Sequence, residues 1–341
     1  MKFLKDIFNP LRIIFFVIII LIIIAMLATF YLINGSAEIN PETEFGVTFS
    51  QITAEEMKID WKNAYEDIID DLGVKKIRLI AYWPLIEKNK GEYSFDDLDW
   101  QINKAKENEV KIILAVGSKL PGYSGSYLPE WAKELNEEEK KENALLFIKE
   151  VVAHYNVEET IKVWQIENNP FQKSLENFLE IDKDFLNQEI SLVRETDFLR
   201  RPIMLTVKNK LSNWFKPAAS SDILGISVYE NNWSEYINYI NIPVNPIFYK
   251  KMSGLVKYLT DVDNIIIIDF QAEPRGPKSI SKMTSTEWEK SMSLLKFKES
   301  IIYAKKTGFD EIYLTGAEWW YHLKKDGNNA FWDEAKNLWS K

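Results

Sequence analysis

The feature that most restricts what this chain can become is an alternation. Eight short β-type runs recur along the sequence, separated by stretches of amphipathic, helical period. They are Phe45 to Ser50, Lys76 to Tyr82, Lys111 to Val116, Ile161 to Ile166, Pro202 to Val207, Ile223 to Tyr229, Ile265 to Phe270 and Glu311 to Leu314. Such alternation is the signature of βαβ units, whose crossovers build a parallel sheet. The unbroken Ile265-Ile266-Ile267-Ile268 suits a strand covered on both faces. Helix candidates lie between, including Ser94 to Asn108, Asn136 to Tyr155, Lys183 to Glu195 and Ser285 to Thr307. Eight units predict an α/β fold closed into a (β/α)8 TIM barrel, which takes about 250 residues. Thr53 with Glu56, and Ser285 or Thr286 ahead of Glu287, are expected helix starts.

Ahead of the barrel, Ile13 to Ile33 is uncharged and almost wholly apolar, long enough to cross a bilayer's hydrocarbon core as a helix. The expected organisation is a cytoplasmic segment over 1–12, a single transmembrane helix over 13–33, a polar linker over 34–44 and the barrel over 45–341. Lys2, Lys5 and Arg12 precede the apolar run, so the positive-inside bias places the N-terminus in the cytoplasm and the barrel outside the cell membrane. The run is longer than the usual core of a cleaved signal, although Gly35-Ser36-Ala37 offers small residues where cleavage could fall.

Composition narrows the chemistry. Without cysteine the chain has no disulfide, thiolate metal site or cysteine nucleophile, and with His154 and His322 as its only histidines a histidine-built zinc site is disfavoured. No metal or organic cofactor is expected. The net charge is -9 with no basic block, which argues against nucleic acid and favours neutral substrates. Acidic runs such as Glu137-Glu138-Glu139 read as solvated helix faces.

Polar and aromatic residues gather at the ends of the β-type runs, and in a barrel those ends meet at one face. Trp164-Gln165-Ile166-Glu167-Asn168-Asn169-Pro170 follows the fourth run, Asp269-Phe270-Gln271-Ala272-Glu273-Pro274 the seventh, and Glu318-Trp319-Trp320-Tyr321 the eighth. Hydrolysis of a glycosidic bond needs two separated carboxyl groups, and Glu167 and Glu273 are the candidates. If the strand continues, Gln165, Glu167 and Asn169 share one face. A wall from Trp164 or Trp319 would desolvate a carboxyl and raise its pKa. Tyr229 and Arg78 are placed to hold the nucleophile. Trp83, Trp131, Trp233, Trp319 and Trp320 are candidates for stacking on sugar faces or for plugging the barrel. Trp319 and Trp320, if on a strand, point to opposite faces. A proton-abstracting enzyme would more usually show a Lys or His at a strand end, and Lys208, just past the fifth run, is a weak candidate for it.

Over about residues 45 to 335 the chain resembles the clan A glycoside hydrolases, the TIM-barrel superfamily of cellulases and β-galactosidases. The resemblance is carried by Phe45-Gly46-Val47-Thr48-Phe49-Ser50, Arg78, Tyr82-Trp83-Pro84 followed by Gly91-Glu92-Tyr93-Ser94-Phe95-Asp96, and Gly117-Ser118-Lys119-Leu120-Pro121 with Pro129-Glu130-Trp131. The segments Asp222 to Tyr229 and Gly316 to Trp320 also fit. It implies a nucleophile after strand seven, either Glu273 or Asp269, and an acid/base in an Asn-Glu-Pro sequence after strand four. Here Asn168-Asn169-Pro170 puts an amide where that glutamate would stand, and an amide cannot donate as a carboxylic acid does. Glu167 would then have to serve as the acid, with Asn168, Asn169, Arg78, Trp83, Tyr229, Glu318 and Trp319 contacting the sugar. The competing expectation is a catalytically silent carbohydrate-binding or scaffold protein on the same barrel.

Overall fold

The computed structural model describes residues 10–122, 127–172, 179–208, 213–229, 231–234, 238–241 and 244–340. Eight parallel strands close a barrel in chain order: β1 Glu44–Thr48, β2 Lys76–Ile80, β3 Lys111–Val116, β4 Ile161–Ile166, β5 Ile203–Val207, β6 Ile223–Val228, β7 Asn264–Phe270 and β8 Glu311–Leu314. All eight expected runs are strands. An antiparallel hairpin, Asn231–Ser234 with Asn238–Asn241, interrupts the β6 to β7 crossover. It holds Trp233, whose side chain lies outside the described residues.

Helices cover the barrel, and each buries its apolar stripe against the outward face of the strands. Trp61–Asp70, Asp96–Glu107, Glu137–His154, Lys183–Thr196, Ile247–Leu259 and Leu294–Lys306 are the longer ones in this layer. Their starts differ in detail from expectation. Ser50, not Thr53, caps Gln51–Glu56, because the Ser50 hydroxyl already lies within reach of the Thr53 amide. Thr284 and Glu287 form a full capping box on Ser285–Ser291. The helix expected over 285–307 is two helices, since Met292 and Ser293 leave the helical region and Ser293 caps the second.

Inside the barrel, Ile113, Val163, Met204, Ile266, Ile268 and Tyr313 form an apolar plug. Two glycines make room for it: a Cβ on Gly46 would lie 2.7 Å from the Tyr313 ring, and one on Gly225 2.7 Å from Ile268. A bulge in β7 changes what lies above the plug. Between Ile267 and Asp269, β7 carries one residue more than β6 opposite, so Ile268 and Asp269 both reach the interior.

The apolar segment is a helix, Pro10–Ile33, long and apolar enough to cross a membrane, and its 13–33 side chains are solvent-exposed with few exceptions. Its exit is fastened to the barrel: Lys251 Nζ donates to the carbonyls of Tyr31 and Asn34, each at 2.7 Å, and Asn245 donates to Gly35 O at 2.9 Å.

The barrel packing predicts a contrast between two glycines. Gly46→Ala drives a methyl into the Tyr313 ring and the Lys76 carbonyl and destabilises by about 1–3 kcal/mol. Gly254→Ala, in open space on Ile247–Leu259, changes stability by less than that or stabilises by up to about 1 kcal/mol. Urea unfolding of both variants checks this, and equal effects would contradict the packing described.

Candidate active site

The carboxyl ends of the strands surround a cavity of about 390 Å³. Its floor is a buried ion pair. Arg78, on β2 and fully buried, pairs with Asp269 and also donates to Gln165 Oε1 at 3.4 Å. Ser227 on β6 donates to the other Asp269 oxygen at 3.1 Å. Strands β2, β4, β6 and β7 are thus tied together across the barrel axis, and Asp269 is spent on structure as well as facing the cavity.

Beyond β7, Glu273 lines the cavity with its side chain 16% exposed, and Arg275 donates to it at 3.3 Å. Burial pushes the Glu273 carboxyl up, opposed by the charge of Arg275. The Arg275 guanidinium also sits 4.2 Å from the centre of the Tyr229 ring, so one cation organises both side chains. Arg275 carries no signal in the sequence beyond lying two residues after Glu273.

Glu318 belongs to the helix Ala317–Lys325 and not to a strand, because β8 ends at Leu314 and Gly316 turns the chain with φ of +102°. A Cβ on Gly316 would fall 2.4 Å from that of Glu273, which shows how closely the two loops pass. The buried Glu318 carboxyl accepts from the Ser50 amide. Burial, with the Glu273 charge adding to it, pushes its pKa up to about 8, so it is largely protonated at neutrality.

Across the mouth, Asn168 and Asn169 line the cavity. Thr206 on β5 donates to Asn168 Oδ1 at 3.1 Å and accepts from the Asn169 amide at 2.7 Å. Glu167 and Asn169 both have positive φ, +54° and +55°, in a region that costs a residue with a side chain about 1–2 kcal/mol.

That backbone overturns the expected role of Glu167. Its left-handed conformation ends the alternation of sides, so Gln165 faces the barrel axis and Glu167 does not line the cavity. Its buried carboxylate accepts from Ser118 N at 2.8 Å, Ser118 Oγ at 3.2 Å and Lys119 N at 2.6 Å. Gly117 is required there: a Cβ would lie 2.5 Å from Glu167 Oε1. Glu189, buried on the helix Lys183–Thr196, is the carboxyl beside it, and burial together with the Glu167 charge holds Glu189 well above the carboxylate range. Glu167 therefore staples the β3 and β4 loops together and is not paired with Glu273.

The tryptophans are corrected too. Trp83 is fully buried, stacks on Phe147 and donates to Glu87 at 2.6 Å. Trp319 packs against Trp288 and Phe331. Trp164 points outward under Arg201. None of the three lines the cavity, because the outer face of the sheet offers large aromatic groups more apolar area to bury than the polar mouth does. Among the described residues Tyr229 is the aromatic one on the lining.

Thr48 Oγ1, Arg78 Nε, Asn169 Oδ1 and Arg275 Nε are buried without a hydrogen-bond partner among the described residues, and all four residues line the cavity. No group of three or more metal-ligating side chains occurs among the described residues.

No family model matches the chain, and no curated protein matches it by sequence. Solved structures do match. A protein described as GH5_18 from Bifidobacterium longum, in complex with Manβ1-4GlcNAc, superposes with a TM-score of 0.59 at 13% identity, over 87% of this chain and 79% of that one. The fold is that of the glycoside hydrolase barrels. A β-galactosidase from Rahnella matches with a TM-score of 0.58 at 10% identity, over 90% of this chain but 57% of its own length. An exo-β-1,4-mannosidase from an Opitutaceae bacterium matches at 0.52 and 12%, over 90% of this chain and 63% of its own.

The burial of Glu318 sets a pH dependence. Its native pKa is raised above the ordinary 4.5, so the protonated form favours the native state, and that contribution is lost as pH rises from about 4.5 through about 8. Glu318→Gln keeps the acceptor for Ser50 and removes the titration. Stability from urea titrations at pH 5, 7 and 9 is expected to fall with pH in the parent by an amount on the order of a few kcal/mol more than in the variant. Parallel pH profiles would refute the assignment.

Proposed function

We propose that this is a membrane-anchored carbohydrate-binding barrel, displayed on the outer side of the membrane, in which the mouth of the barrel holds an oligosaccharide without the usual retaining pair. The observation that carries the reading is the set of unpartnered buried polar atoms on Thr48, Arg78, Asn169 and Arg275 around one cavity. Sugar hydroxyls donate and accept at once, and satisfy mixed donors and acceptors of this kind. The fold of the hydrolase barrels supports the ligand class, and the amides of Asn168 and Asn169 at the strand-four end support binding over acid catalysis. The 13–33 helix would be retained as a single-pass anchor, with Lys2, Lys5 and Arg12 on the cytoplasmic side.

Hydrolysis is the second reading, and one observation favours it. Glu318, protonated near neutrality, shares the cavity with Glu273. In that reading Glu273 attacks the anomeric carbon, with Arg275 and Tyr229 beside it, and Glu318 takes the acid's part that the sequence assigned to Glu167.

Full-length protein in detergent micelles, titrated calorimetrically with neutral and acidic oligosaccharides and assayed on aryl β-glycosides, separates the two. The binding reading expects saturable binding weakened about tenfold or more by Asn169→Ala, with no turnover. Turnover lost in both Glu273→Gln and Glu318→Gln would replace it with the hydrolase. Absence of binding and turnover alike would defeat both.

A further inference from the structure

Overall charge suggests a neutral ligand, but the cavity's charge is arranged differently from the surface's. On the β7 and β2 side every cation has an acid: Arg78 with Asp269, and Arg275 with Glu273. At the rim Lys278 is matched by Glu287 at 3.0 Å, while Glu318 is largely neutral. The β3 to β5 side differs. Lys119 and Lys208 both line the cavity there. Lys119 Nζ donates to two neutral groups, the carbonyls of Asn169 at 3.1 Å and Gln172 at 2.6 Å. Glu167, whose charge also acts on Lys119, does not line the cavity and accepts from backbone amides. Lys208 has neither a hydrogen bond nor an ion pair among the described residues. Glu56, a lining acid with no ion pair among the described residues, follows β1, on the opposite side of the closed barrel from β5.

We propose that the saccharide bound here is acidic, carrying a carboxylate, phosphate or sulfate group that Lys119 and Lys208 hold beside Asn169. The inference rests on the carbohydrate-binding reading and adds the ligand's charge to it. Burial depresses both lysine pKa values; at Lys119 the Glu167 charge opposes it and the Lys208 charge adds to it, and at Lys208 the Arg275 charge adds to it, so the two lysines repel each other. An anion placed between them removes that repulsion and gains charge-assisted hydrogen bonds from both. Lysine suits this as a point charge on a flexible stem, able to meet a planar carboxylate or a tetrahedral oxyanion.

The test uses full-length protein in detergent micelles at low salt, titrated with cellobiose, cellobiouronic acid, cellobiose 6-phosphate and, as a bare anion, inorganic phosphate. The expected result is affinity about tenfold or more higher for an acidic disaccharide than for cellobiose, narrowing in 0.5 M sodium chloride. The better of the two acidic disaccharides identifies the anion. In Lys119→Gln/Lys208→Gln the acidic-to-neutral affinity ratio falls about tenfold, and Lys119→Arg/Lys208→Arg, which keeps both charges, restores it. Equal affinity for neutral and acidic sugars, or a preference that the glutamine variant retains, overturns the proposal and leaves carbohydrate binding intact. Phosphate binding as tightly as the acidic sugars, with cellobiose not bound, overturns it as well, since the site would then be an anion site only. Binding of none of the sugars sinks the carbohydrate reading and this proposal with it.

Discussion

The buried pair between Arg78 and Asp269 is the contact on which the upper half of this barrel depends. A guanidinium fully removed from water is tolerated only against an ionised partner, and removing one member of such a pair leaves a charge that costs about 3–5 kcal/mol. Gln165 and Ser227 complete the layer, so strands from opposite sides of the barrel meet at one polar centre. Below it the interior is apolar and closed; above it the barrel is open and polar. The bulge in β7 makes this boundary, since without the extra residue Asp269 would point into the helix layer.

From that floor the fates of the carboxyl groups follow. Asp269 is committed to Arg78, Glu273 stands free enough to meet a ligand, and Glu318 is held protonated at a helix start by burial. Glu167 is drawn the other way by two amides and a hydroxyl of the β3 loop. The same left-handed turn that sends Glu167 outward brings Asn168 and Asn169 to the rim, so the loop after β4 presents amides where hydrolases of this fold would be expected to present an acid. Strain at Glu167 and Asn169 is compensated by five hydrogen bonds between the loop and Ser118, Lys119 and Thr206, four donated to the loop and one donated by the Asn169 amide to Thr206.

The apolar helix and the barrel are also linked more closely than a polar tether implies. Lys251 and Asn245 grip the chain where the apolar helix ends, which fixes where the barrel's helix layer sits relative to that helix. Those bonds cap carbonyls at the helix C-terminus with a cation, the favourable sense for the helix dipole.

Sequence alone determined the architecture, because periodicity and chain length are local properties: period-two and period-3.6 stretches alternating eight times leave few folds other than a parallel barrel, and the run from Ile13 to Ile33 is a helix long and apolar enough to cross a membrane. It also led to the expectation that the strand ends converge on one face, and Arg78, Asn168, Asn169, Tyr229, Asp269, Glu273 and Glu318 line the cavity found there. What tertiary structure decided was direction. Which way Glu167 points depends on one φ angle and on amides 48 or 49 residues away, and whether Trp83 and Trp319 meet a ligand or a core depends on the helices packed over them. Lys119, Lys208 and Arg275 become a charged wall only when loops after β3, β5 and β7 are brought to one rim. Side-chain orientation at a loop is set by partners distant in the chain, and no local pattern encodes them.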